Sequence, residues 1–253
     1  MVNFDEREFK VQTVVFEARF DQGDRYFDLC GQTVVRLRRE LPQLVAQRVA
    51  LESTILIWPN EPVVISFDPK KVIISRSSNE WTPSKDAEKH VRAIAPVISK
   101  AYPVICESLE IPNTTRVGAR FSFIAEATSL EDAQRVVAVA LNATPFAASI
   151  INASGKDEEV YSGSIRCQIE DVETGFRTTV MLSPAIRTEI GEPDLTGLPG
   201  ENRKSGVLID IDTFTRPPEG HFDSSRTFFE NAYHRTLRMA RRLFADLSKS
   251  LKG

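Results

Sequence analysis

The feature that most constrains the fold of this chain is a strand-like word that occurs twice. Val14 to Phe20 reads V-V-F-E-A-R-F and Arg116 to Phe121 reads R-V-G-A-R-F, so Glu17-Ala18-Arg19-Phe20 aligns with Gly118-Ala119-Arg120-Phe121. Alternation in the first copy puts Phe16, Ala18 and Phe20 on one face and Val15, Glu17 and Arg19 on the other, the pattern of a half-buried strand. In the second copy Val117, Ala119, Phe121 and Phe123 alternate with Gly118, Arg120 and Ser122. A four-residue echo gains weight when the same order of elements follows each copy, as a duplicated unit requires.

That order does follow. After the first copy, Phe27, Cys30, Val34, Leu37 and Leu41 recur at spacings of three and four, which predicts a helix over 24–41 ended by Pro42. After the second, Ser129 and Asp132 form a capping box ahead of Leu130, Ala133, Val136, Val137, Ala140 and Leu141. Each half then turns to strands: 54–58, 63–67 and 72–76 in the first, the last two joined at Asp68-Pro69-Lys70, and 160–172, 176–182 and 207–214 in the second, with a turn at Glu173-Thr174-Gly175. A helix closes each half. The first spans 84–109, with a kink expected from Pro96 and Pro103; the second spans 224–249 and buries Phe229, Ala232, Tyr233, Leu237, Ala240, Leu243, Phe244 and Leu247. The stretch 190–205, with three glycines and two prolines, reads as a long loop.

The expected fold class is α+β: a duplicated β-α-β(3)-α unit, with antiparallel sheets and helices packed on one side. The repeats would span 1–112 and 113–253. In its order of elements the chain resembles the TATA-box-binding-protein-like saddle; a helix-grip-like arrangement is the alternative. V-V-F-E-A-R-F, R-V-G-A-R-F and the L-I-D-I-D segment at Leu208 to Asp212 ahead of a long terminal helix resemble a sporadically distributed bacterial family of uncharacterised proteins. That resemblance implies a bacterial cytosolic protein and brings no activity with it.

With 32 Lys and Arg against 35 Asp and Glu, no bulk positive field draws the chain to nucleic acid or to an anionic membrane. Neither a signal-peptide order at the N-terminus nor an apolar run of about 20 residues is present, so a cytoplasmic location is expected. The scattered Cys30, Cys106 and Cys167 suit neither a disulfide framework nor a zinc site and are expected as buried free thiols. His90, His221 and His234 lie far apart, with His234 expected at the surface.

Candidate functional residues follow from alternation on the sheet face turned away from the helices: Glu17, Arg19, Arg120, Ser122, Ser164, Arg166, Gln168, Glu170, Arg177, Thr179, Asp210 and Asp212. Such a face is either plainly solvated or a binding surface. Arg19 and Arg120 occupy matching positions, and two planar forks suit a carboxylate or phosphate. Asp210 and Asp212 point the same way and suit a hard cation, with Glu170 as the third oxygen, or else pair with arginines such as Arg166 or Arg177. A basic stripe on the terminal helix, including Arg235, Arg238 and Arg242, reads as a solvated face or as a nucleic-acid contact.

No motif calls for a cofactor or metal. Three functions stay open: a non-enzymatic protein- or ligand-binding component of a bacterial system, a nucleic-acid binder, and an enzyme acting on a small anionic substrate. The expected partner is another protein, with a small anionic ligand, nucleic acid or a second copy as alternatives and no membrane.

Overall fold

A computed structural model describes residues 9–21, 23–83, 87–144, 163–171, 175–193, 199–215 and 225–250. Among these residues nine strands form one antiparallel sheet and four helices pack against it. In chain order the elements are β1 (Lys10–Phe20), α1 (Tyr26–Glu40), β2 (Val45–Val49), β3 (Thr54–Trp58), β4 (Val63–Phe67), β5 (Lys71–Pro83) and α2 (Ala87–Ser108). They continue with β6 (Thr114–Ala127), α3 (Leu130–Asn142), β7 (Ile165–Glu170), β8 (Arg177–Pro193), β9 (Pro199–Thr215) and α4 (Ser225–Ser250). The strands lie in the order β2-β3-β4-β5-β1-β6-β9-β8-β7. The α+β class and antiparallel pairing agree with the sequence.

All four helices belong to one side of the sheet, because each packs on the same set of alternating residues. The ring of Tyr102 on α2 meets Phe16 edge-on, Tyr26 on α1 meets Phe67, and Phe229 and Tyr233 on α4 meet Phe121. Val136 and Val137 of α3 join the same apolar cluster. Phe16, Phe67, Phe121 and Phe229 are fully buried, each contributing ~1.5–3 kcal/mol of transfer free energy.

Local chemistry sets the element ends. The Ser129 hydroxyl accepts the Asp132 amide at 3.1 Å and caps α3. Gly175 adopts φ 66° and donates its amide to the Asp171 carbonyl, closing β7 onto β8; Glu173 and Thr174 lie outside the described residues. α2 runs continuously through Pro96 and Pro103.

Several expectations need correction. The buried face of α1 is carried by Tyr26, Thr33, Val34 and Leu37, while Phe27 is 52% exposed. The Tyr26 hydroxyl reaches the Ala50 carbonyl and Thr54 across β2 and β3, which fixes the rotation of the helix and turns Phe27 outward. Strand β2, exposed throughout and without alternation, gave no signal. The expected loop at 190–205 is largely strand, because β8 and β9 keep pairing out to Ile190 and Glu201, and again at Pro193 and Pro199. Backbone pairing with a neighbouring strand overrides the glycine and proline content there. Leu243 stands 36% exposed. Among the cysteines Cys106 is buried, Cys30 half-buried and Cys167 exposed; burial pushes the Cys106 thiol up to about 12 and keeps it protonated.

The turn from β1 into α1 presses against the β4–β5 hairpin. A Cβ at Gly23 would lie 2.1 Å from the Pro69 carbonyl oxygen. Gly23→Ala is therefore expected to cost ~1–3 kcal/mol. Gly31→Ala, where a Cβ would meet nothing within 4 Å, is expected to add ~0.5–1 kcal/mol; urea unfolding of both variants measures the contrast.

Candidate functional site

Register places the side chains on the face that carries no helix among the described residues, the helix-free face. Opposed residues share a face, so one row runs Val45, Ile57, Val64, Ser75, Val15, Arg120, Asp212, Thr179, Gln168 across all nine strands. The next row runs Arg48, Ile55, Ser66, Ile73, Glu17, Gly118, Phe214, Arg177, Glu170. The face is thus mainly aliphatic over β2 to β5, with Arg48, Ser66 and Ser75 among the apolar residues, and ionic over β1, β6 and β9 and again at the Arg177–Glu170 pair.

The ionic part centres on β6. Arg116 donates to Glu17 Oε1 at 3.1 Å and to Asp212 Oδ2 at 2.6 Å, bridging the strands on either side. Its guanidinium lies 4.2 Å from the centre of the Phe214 ring, a cation–π contact. Gly118 stands between Glu17 and Phe214 in the register, and a Cβ there would lie 3.3 Å from Phe214 Cβ and 3.5 Å from Asp212 Oδ1. Arg120 holds Asp210 through Nε at 2.8 and 2.9 Å and through Nη2 at 2.7 Å, while Ser122 donates to Asp210 Oδ1 at 2.8 Å. Arg19 donates to Glu17 at 2.6 Å. Three carboxylates meet three guanidinium groups.

Burial decides the electrostatics. Asp210 is 7% exposed, and its hydrogen bond to Arg120 holds that guanidinium even more firmly charged than usual. Asp212 titrates above the ordinary carboxylate range because burial disfavours its anion more strongly than Arg116 supports it.

The matching arginines do not form a pair of forks. Arg19 stands opposite Arg116, and Arg120 stands opposite Val15, four residues or ~13 Å farther along the seam. Each is bonded to a carboxylate of the chain itself. Asp210 and Asp212 pair with Arg120 and Arg116 instead of Arg166 or Arg177. Glu170 is separated from β9 by β8 and bonds to Arg177 at 3.1 Å. Among the described residues no group of three His, Cys, Asp or Glu side chains is arranged to hold a metal. Arg166 is exposed on the edge strand β7. Arg116, the hub of the network, was missing from the sequence candidates, although two further steps of alternation back from Arg120 reach it.

On α4, Arg235 is bonded to Asp171 at 3.0 Å and half-buried, while Arg238 and Arg242 are exposed. His234 is exposed, and buried His90 accepts at Nδ1 from Arg76 at 2.6 Å, since a guanidinium only donates.

Two outcomes test this network. Asp210→Ala strips Arg120 and Ser122 of their acceptor and is expected to cost ~1–2 kcal/mol, reduced because Arg120 is open to solvent. For Asp212 the folded value lies above the unfolded one, so its contribution favours folding below the ordinary value of 3.8 and is lost as pH rises through the raised value. Asp212→Asn should therefore gain stability relative to wild type as pH rises, seen in urea unfolding between about pH 3 and 7.

Compared with family models, curated proteins and solved structures, the chain has no match.

Proposed function

We propose that this chain is a binding protein without turnover, which docks a partner protein on the helix-free face of its sheet. One observation carries the proposal: Val15, Val45, Ile55, Ile57, Val64 and Ile73 gather on one face of five adjacent strands, with Ser66 and Ser75 between them, and stay partly open to solvent. Apolar surface gathered on one flat face marks an interaction site more than scattered exposed residues do. Beside it, the arginines and carboxylates of β1, β6 and β9 are held in fixed internal pairs. They suit a polar rim better than a catalytic centre, because neither a free base nor a free anion-binding fork stands among them.

The same face is framed by a duplicated unit, with repeats at 1–112 and 113–253 arranged as a saddle. Support comes from the seam. The aligned positions Glu17 and Gly118 lie directly opposite each other, and β5-β4-β3-β2 and β9-β8-β7 extend outward on either side of β1 and β6. A two-fold axis through that pair demands this pairing. Nucleic acid is the second reading, favoured by Arg238, Arg241 and Arg242, which are exposed and make no ion pair among the described residues.

Ile57→Glu combined with Val64→Glu tests the docking face. The partner that co-purifies with tagged wild-type protein should be lost from the variant, with circular dichroism unchanged. Retention of that partner, or its release from wild type by nuclease, would overturn the proposal.

A further inference from the structure

On the helix side, the core-facing residues of the central strands are sealed, whereas those of the β7 edge are not. Ile209 and Ile211 on β9 are fully buried. Their neighbours Val180 and Leu182 on β8 and Ile165 on β7 face the same way but stay partly open. Among the described residues the helix layer stops short of them, leaving a cleft of about 490 Å³ between the sheet, α3 and the last turns of α4. Its walls include Ile165, Cys167, Val180, Leu182, Met239 and Leu243. This is why Leu243 and Cys167 remain exposed in positions whose pattern calls for burial.

The charged groups at the cleft are Arg242 and Asp246. The Asp246 carboxylate lies 3.5 Å from Lys249, whereas Arg242 makes no ion pair or hydrogen bond among the described residues. A cleft of this size falls within the ~300–1,000 Å³ range of small-molecule sites, which join apolar walls to a few orienting polar groups.

We propose that this cleft binds a small amphipathic carboxylate of the fatty-acid class, with the aliphatic tail between β7–β8 and α4 and the carboxylate on Arg242. Charge complementarity selects that occupant. The wall offers apolar area for a chain and one free guanidinium, whose two-donor edge matches a carboxylate. The site is separate from the sheet face of the proposed protein interaction, and either could fail alone.

The wall carries its own reporter in Cys167. The test is N-ethylmaleimide labelling of the full chain, read by peptide mass spectrometry, with dodecanoate titrated below its micellar range. Cys167 should label rapidly in the free protein and become saturably protected by dodecanoate, with dodecylamine protecting less. Arg242→Gln, a surface change that spares the fold, should weaken dodecanoate protection about tenfold and leave that by dodecylamine unchanged. Leu182→Trp should fill the cleft and abolish both. Cys167 already shielded without ligand would mean that the cleft is covered by the chain or by a second copy, and would overturn the proposal. So would protection that fails to saturate, or equal dodecanoate protection in Arg242→Gln.

Discussion

β1 and β6 lie side by side in the middle of the sheet, and the remaining strands reach the core through one or the other. Phe16 and Ala18 on β1 and Val117, Ala119 and Phe121 on β6 have no solvent exposure. The aromatic residues of α2 and α4 close over these strands, and the ladder between them joins the two halves of the chain into one sheet. A register slip of one residue here would turn every core side chain outward and drive Glu17, Arg116 and Arg120 beneath the helices. The rest of the molecule depends on this seam staying in register.

The seam also explains why the charges sit where they do. With the four described helices on one side, the opposite face of the same central strands is held without a second layer among the described residues. Polar side chains at adjacent strand positions are crowded enough to lose much of their water, as Asp210 does. Isolated, such a carboxylate would be costly; held by Arg120 and Ser122, it is compensated. Arg116 does the same for Glu17 and Asp212 while its guanidinium covers Phe214. The network therefore ties three strands together on the face opposite the described helices. Toward β2 to β5 the same face carries fewer charges, with Arg48 on β2 and Lys71 on β5, and presents mainly aliphatic side chains.

Most of the elements were legible in the sequence because their patterns are local. Ser129 and Asp132 announced the start of α3, the alternation around Glu17 and Arg120 announced their faces, and Tyr233, Leu237, Ala240 and Phe244 announced the buried side of α4. Legibility failed where a residue's environment comes from a distant neighbour. Phe27 and Tyr26 are both aromatic and adjacent, and only the Ala50 carbonyl and Thr54 choose Tyr26 for the interior. Glycine and proline in 190–205 suggested a loop until a partner strand was there to pair with it. Cys167 has the alternation of a core residue, yet it is exposed, because among the described residues the helix layer does not reach its strand.

What the sequence by itself determined is the order of the strongly patterned strands and helices and the faces of residues such as those around Glu17 and Arg120, since both follow from periodicities of about 2 and 3.6 residues. Only the tertiary structure decided which charges meet. Arg19 and Arg120 look equivalent in sequence, but antiparallel pairing sets them apart on opposite sides of Glu17 and Gly118, and each takes a different carboxylate. The apolar cleft beside β7 was likewise decided in three dimensions, because its volume depends on where α3 and α4 end relative to the sheet edge, a distance that no local pattern encodes.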